Sequence, residues 1–364
     1  RLKLKQSGGI ILMAISFFCN MIRFAGLLFI LCLPASVLPA QAQRKGWLQT
    51  ENDTSYITDL TEELTVRLYG SRKFTNYLLA DRHNGRRLYY RPNSPFNLGF
   101  GFNHKFLGLN IGFNFPFINT YDKYGKTRFL DLQSHVYLRK IVIDFYAQYY
   151  KGYYLVNTGA LSDNHAGMVY LRPDMGTWNG GLSVQYIFND ERFSFRAAYL
   201  QNEYQKKSAG SLMVGGDLHT VAVRADSSVI PANIVHFNFF DNNHFNRSNI
   251  YCGTVNAGYA HTFVVKKHFF LMLSAHGGIG LNYTVLENLA LSEREQGLHG
   301  QLNTTWRIAA GYNSETYFAG VHYVTLLMSS TAPITGTAQE FAAGNLRVSL
   351  ARRFKLHKPL VRGL

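Results

Sequence analysis

Two places in the sequence set a hydroxyl nucleophile beside a histidine base. In FFLMLSAHGGIGLNYTV (269–285), Ser274 and His276 are two residues apart, so an extended backbone brings both to one face. Acyl transfer or lipid hydrolysis by such a pair needs a third group, a carboxylate or amide, to orient the imidazole. No such group is evidently placed to do so. Ser134 and His135 are adjacent, and neighbours on a strand point to opposite faces. The thirteen histidines contain no HxxxH or HExxH spacing and so carry no metal signature. GGIGLN (277–282) is glycine-rich but lies inside an alternating segment, without the helix start that a phosphate loop requires. These residues point away from an enzyme, a metal site or a bound cofactor. The enzymatic alternative is a barrel-embedded lipid hydrolase or acyltransferase that uses Ser274, His276 and His135.

A larger set of polar side chains shares one strand parity. It comprises Asp131, Gln133, His135, Arg139, Asp144 and Gln148 in two neighbouring segments, and Arg196, His276, Asn282, Arg307, His322 and Arg347 elsewhere. Two are carboxylates and four are arginines, so a water-filled lumen lined by them favours small anionic solutes. In a narrow barrel the same groups would pair with one another and fill it. Asp144 lies across a tight hairpin from His135 or its neighbours, within reach of such a pair.

The elements that must position these groups are strands. NLGFGFNHKFLGLNIGFNF (97–115) alternates Leu98, Phe100, Phe102, Leu109, Ile111, Phe113 and Phe115 with glycine and asparagine, a period of two with one large apolar face and one small polar face. More alternating segments follow in pairs. TRFLDLQSHVYLR and IVIDFYAQYY join at Lys140, and GLSVQYIF and FSFRAAYL join at 189–191. TVNAGYAHTFVV and FFLMLSAHGGIGLNYTV join at 266–268, and QLNTTWRIAAGY and TYFAGVHYVTLL join at 313–314. With LTVRLYGSRKFTNYLL (64–79) first and NLRVSLARRF (345–354) last, the set comes to about twelve strands. Between pairs, the connections 118–126, 156–177, 206–246, 286–298 and 331–340 are longer and polar or glycine-rich. Short and long joins alternate, and both ends of the set fall on the short side. That is the habit of an all-β, transmembrane antiparallel up-and-down β-barrel, with lipid against the phenylalanine and leucine face. QKKSAGSLMVGGD (205–217) reads as the head of the longest outer connection, its Lys206-Lys207 pair facing anionic lipopolysaccharide. A soluble exported β-sandwich that binds a periplasmic partner is the alternative, because strand pattern alone suits both.

The start of the chain favours the envelope. MIRFAGLLFILCLPASVLPAQAQ opens at Met21, carries Arg23, runs apolar from Phe24 to Leu38 and offers Ala40-Gln41-Ala42 to a signal peptidase. Cleavage after Ala42 leaves a periplasmic segment 43–63, a barrel 64–355 and a tail 356–364. An uncleaved anchor is the alternative, since GIILMAISFFCNM lengthens the apolar stretch, although Asn20 and Arg23 interrupt it. No later segment approaches about 18 unbroken apolar residues, so no helical span is expected after the signal. Cys19 and Cys32 belong to the leader, which leaves Cys252 with no partner for a disulfide. The net charge is +15, of which Arg1, Lys3, Lys5 and Arg23 supply four. No nucleic-acid motif accompanies the excess, and scattered solvated Lys and Arg account for it.

LTVRLYGSRKF, YYRPNSPFNLGFGFNHKFLGLNIGF, LDLQSHVYLRKIVIDFYAQYYKGYYL and YIFNDERFSFRAAYLQNEYQKKSAGSLMVGG resemble the domain of unknown function 4421 family, from about Asp53 to the C-terminus. The resemblance implies an exported barrel in the outer membrane of Bacteroides-like, Gram-negative bacteria, a porin-like architecture. Its surroundings would be outer-membrane lipid, lipopolysaccharide and the barrel-assembly machinery. It brings no activity and no functional residues. The tail KLHKPLVRGL departs from barrels that end on an aromatic residue, since ten residues follow Phe354.

Overall fold

The computed structural model describes residues 51–104, 107–114, 123–157, 169–231 and 239–356. The leader with its cleavage site, the start of the 43–63 segment, Phe115, and the tail from residue 357 lie outside them.

The strands, in order, are β1 (Ile57–Asp59), β2 (Leu64–Asp81), β3 (Arg86–Pro92), β4 (Phe96–His104), β5 (Leu107–Asn114), β6 (Arg128–Asp131), β7 (Ser134–Tyr137), β8 (Ile141–Leu155) and β9 (Tyr170–Ile187). A short helix α1 (Phe195–Tyr199) follows, then β10 (Glu203–Gln205), β11 (Ala209–Arg224), β12 (Arg247–Val265), β13 (Phe269–Asn288), β14 (Glu293–Asn313), β15 (Tyr317–Thr331) and β16 (Thr337–Phe354). All pairings are antiparallel. The sheet closes on itself as β2-β3-β8-β9-β11-β12-β13-β14-β15-β16-β2, sealed by the register Thr337↔Asp81 through Phe354↔Leu64. This ring has ten strands, with β4 to β7 attached beside it. Closure removes the edge that a sandwich would have kept, so the sandwich alternative falls.

Which residues face out follows from the pleat. On β12 and β13, Val255, Tyr259, Phe263, Leu271, Ile279 and Leu281 are exposed, while Thr254, Asn256, Ala260, Met272, Ser274, His276 and Asn282 between them are buried. The small polar face of the 97–115 stretch also turns inward at Gly101 and Asn103, while Leu98, Phe100 and Phe102 stay exposed. The outward apolar run ends towards Glu293, Arg294 and Glu295, all exposed. Tyr251 and Phe263 on β12 are twelve residues apart. At ~3.3 Å per residue and a tilt of about 40°, that is roughly 30 Å along the axis, the height of a bilayer's hydrocarbon core.

Several connections differ from the sequence expectation. FSFRAAYL is not a strand. Ser194 accepts a hydrogen bond from the Ala197 N–H at 3.0 Å and caps α1, and Gln201 just beyond it takes a positive φ. The segment 205–217 is not a loop head either, because most of it belongs to barrel strand β11. One strand is thereby lost and one gained. On the rim opposite the barrel's ends, 289–292 and 332–336 are short, because β13, β14 and β16 run on past the expected turns. On the rim that holds both ends, 188–208 is long. Joins therefore do not sort by length as the sequence suggested. For the description below, the rim where β2 begins is the lower one.

The wall also changes composition with height. β3 and β4 form one strand broken at Asn93–Pro95, where Pro95 has no N–H to donate. Above the break β3 pairs with β2 and β8, and below it β4 pairs with β2 and β5. β8 switches neighbours at the same height. Lys151 pairs with Arg128 of β6, Tyr153 pairs with Pro92 of β3, and Gly152 between them adopts φ +97° at a bulge. Below this point β4 and then β5 extend the sheet from β2, and β6 and β7, in line as one broken strand, extend it from β8. Among the described residues no ladder joins β5 to β6 or β7.

Candidate functional site

Both mouths of the ring are filled by the chain itself. At the lower end α1 lies inside the wall. Phe193, Phe195, Ala198 and Tyr199 pack on inward-facing Tyr137, Val142, Met213, Ala260, Met272, Ala309, Phe318 and Ala351, so nearly every strand contributes to one apolar cluster. Tyr137 stacks on Phe195 and Tyr199 with centroids 5.7 and 5.1 Å apart. A helix this short leaves most of its carbonyls without internal partners, and the wall supplies them. Asn313 Nδ2 donates to Ala197 O at 3.1 Å, His322 Nε2 to Ala198 O at 2.8 Å, Asn103 Nδ2 to Leu200 O at 2.6 Å and Arg353 Nε to Gln201 O at 2.7 Å. Arg67 Nη1 reaches the Gln201 side chain at 2.7 Å. Glu203 beyond the helix receives Arg139 and Arg196, each at 3.2 Å, and the Ser194 hydroxyl at 2.5 Å. At the upper end Val229, Ile230, Phe239, Phe240 and Phe245 from the β11–β12 connection pack on Tyr77, Leu79, Leu88, Tyr90 and Tyr153.

Between the stoppers lies a polar layer. Asp144 of β8 accepts from His135 Nδ1 at 2.7 Å across the β7–β8 pair, as the hairpin register suggested, and from Arg307 of β14 across the lumen. Arg307 is fully buried and also donates to Gln185 at 3.3 Å. Asp131 accepts from Gln148 at 2.8 Å, Tyr150 at 2.5 Å, Gln133 at 3.2 Å and Lys73 at 3.3 Å. Asp217 accepts from Ser183 at 2.5 Å, Thr254 at 2.7 Å and Asn256 at 2.8 Å. These three carboxylates organise the interior, each gathering donors from several elements.

The residues singled out in the sequence are thus distributed over three levels. Asp131, Gln133, His135, Asp144, Gln148, His276 and Arg307 belong to the polar layer. His322 secures the lower stopper, and Arg347 lies beside it over the Tyr69 ring at 4.8 Å. Two placements change: Arg196 is on α1 rather than on a strand, and Arg139 sits in the β7–β8 turn. Ser274 Oγ and His276 Nε2 meet at 2.8 Å, but His276 Nδ1 finds no partner among the described residues, so no orienting group completes a triad. Arg67, Asn103, Asp217, Asn313 and Arg353 were missed. Arg67 was available, since LTVRLYG puts it on the parity opposite Val66 and Leu68. Asp217 was hidden inside a stretch read as a loop. Among the described residues no group of His, Cys, Asp and Glu is arranged to hold a metal.

Residues 51–349 match the family described as domain of unknown function (DUF4421). The chain belongs to this family. The match of this DUF4421 member spans the ring from before β1 to within β16. No curated protein sequence matches it. Among solved structures it is similar to the outer membrane protease OmpT from Escherichia coli, at 10% identity over 82% of this chain and 98% of that one, with a TM-score of 0.36. It is also similar to the outer-membrane expressed OmpT of Vibrio cholerae, at 11% identity over 80% and 98% with a TM-score of 0.27. A third is the Pseudomonas putida toluene transporter TodX, at 9% identity over 80% and 90% with a TM-score of 0.23. Likenesses this distant carry nothing about what the DUF4421 barrel binds or does.

Proposed function

We propose that this protein is a non-enzymatic barrel of the Gram-negative outer membrane, closed to free diffusion along its axis and serving as an accessory or structural element of the envelope. The observation that carries the reading is the double stopper, α1 below and the β11–β12 connection above, both built from apolar residues buried against inward-facing side chains of several strands. The apolar exterior band supports the membrane setting, because exposed Val, Leu, Ile and Phe at every second position of long strands are costly against water and matched to lipid. Lipid and lipopolysaccharide are its surroundings, and the barrel-assembly machinery is the route of insertion. Most of the charged groups inside are used in pairs and networks, so a basic lumen acting as an anion pore is the weaker form of the idea.

The test is conductance across a planar bilayer, using protein whose band migrates faster unboiled than boiled. Folded protein of that kind should show no steady current. A persistent open channel would overturn the stoppered reading.

A further inference from the structure

Resting on the membrane reading above, we infer that the outer wall holds one anionic phospholipid at the lower rim, an acyl chain over Ala319 and the phosphate on Arg352. The first observation is a groove of about 430 Å³ on the outside of β14, β15, β16 and β2, with Ala319 among its lining residues. That volume is within the ~300–1,000 Å³ of ligand clefts. The register explains why the wall is hollow there. Phe269, Tyr312, Ala319, Leu350, Leu68 and Phe100 stand opposite one another on six successive strands, all on the outward parity. Ala319 is the one short side chain in that row, so its large neighbours rise around a dent.

The second observation is what stands at the lower edge of the dent. In the next outward row towards the rim, Tyr317 is opposite Arg352, and Arg352 is opposite Val66. Arg352 is exposed, two residues above the end of β16. Its guanidinium lies 5.6 Å from the centre of the Tyr317 ring and 5.0 Å from that of the Phe354 ring. The rings steady the cation without neutralising it. Arg352 has no carboxylate partner among the described residues, in contrast to Arg139, Arg196 and Arg307 inside the barrel. A cation among aromatic rings at the end of an apolar band belongs at the headgroup level of a bilayer. A guanidinium without a protein anion favours phosphate, which it can grip with two donors. Residues 51–63, which follow the leader, lie at this same rim, tied through β1 to β10. On the membrane reading the rim therefore faces the periplasm and the phospholipid leaflet. A phosphodiester and an alkyl chain in one molecule match the cation and the dent together. A head whose phosphate is not offset by an ammonium suits an unpaired arginine best.

The experiment is native mass spectrometry of the full chain released from dodecyl maltoside micelles, with dioleoyl phosphatidylglycerol as probe. Glycerol 3-phosphate and dioleoylglycerol run in parallel, the head without chains and the chains without phosphate. A single phosphatidylglycerol adduct is expected. It should weaken at least about tenfold in R352Q and in A319F, which fills the dent, and persist in R294Q, an exposed cation at the opposite rim. Undiminished binding by R352Q overturns the inference. So does glycerol 3-phosphate binding as tightly as the lipid, which would mean an aqueous anion site, or dioleoylglycerol doing so, which would mean an apolar groove alone. Should R352Q lose its heat-modifiable shift, A319F decides, and undiminished binding there overturns the inference as well. If the shift is absent in the unsubstituted protein, the membrane reading fails and this site with it. If the shift is present but binding is indifferent to Arg352, the lipid site alone fails.

Discussion

Asp144 is the residue whose removal the fold should tolerate least. It is 1% exposed, and it joins His135 beside it to Arg307 on the far wall. Arg307 is 0% exposed, its other donor contact is to neutral Gln185, and its guanidinium lies 5.9 Å from the centre of the Phe195 ring in the lower stopper. Asp144→Asn keeps the shape and removes the charge, so a fully buried cation is left with amide oxygens only. Breaking one side of such a pair costs about 3–5 kcal/mol, most of it from the uncompensated partner and little from the attraction itself. Arg307→Met should cost less, because Asp144 keeps His135. In the double variant the stranded charge is gone, so much of the loss should return, with a coupling of about 2 kcal/mol or more. The assay is urea unfolding of the barrel in lipid, followed by the heat-modifiable band. A D144N variant within about 0.5 kcal/mol of the parent, or strict additivity with R307M, would refute the claim that this contact spans a closed, dry interior.

Other consequences can be checked with the same assay. Ile279, 69% exposed in the middle of the outer band, should cost about 2–4 kcal/mol when changed to Arg if lipid covers it, and close to nothing if water does. Phe195→Ala should cost about 3–5 kcal/mol, since Phe195 is 1% exposed within the lower cluster. The same variant should raise the frequency of transient openings in bilayer recordings, and a conductance as quiet as the parent's would place the axial barrier elsewhere.

The strand parity was legible because one face of every strand must meet a single solvent, and a one-residue slip would reverse it. That is why Leu98, Phe100, Phe102, Leu109, Ile111 and Phe113 are exposed as expected, and why His135 and Asp144, partners across one hairpin, could be paired from sequence spacing. Contacts that leave the hairpin were not legible. Arg307 meets Asp144 only because a closed ring brings β14 opposite β8, and no local spacing encodes a diameter. FSFRAAYL misled for a different reason. Phe193, Phe195, Ala197 and Tyr199 alternate like a strand, yet Ala198 is buried as well, because a helix enclosed on all sides has no polar face to give it away. The capping serine and the paired alanines were the available signal. In β11, Gly210, Gly215 and Gly216 dilute the alternation, and glycine in a strand reads as a turn when seen alone.

The switch of neighbours along β8 and β2 gives the stopper a geometric cause. Barrel width grows with strand number, and about eight strands leave room only for side chains. Above Gly152 the ring has ten, and a folded-in connection suffices to fill it. Below Gly152, β4 and β5 on the β2 side and β6 and β7 on the β8 side stand where β3 no longer joins β2 to β8. A helix with its side chains needs about 10 Å, and α1 sits at this wider level, touching Tyr137 of β7 and Asn103 of β4. The added strands therefore make the room that the helix occupies.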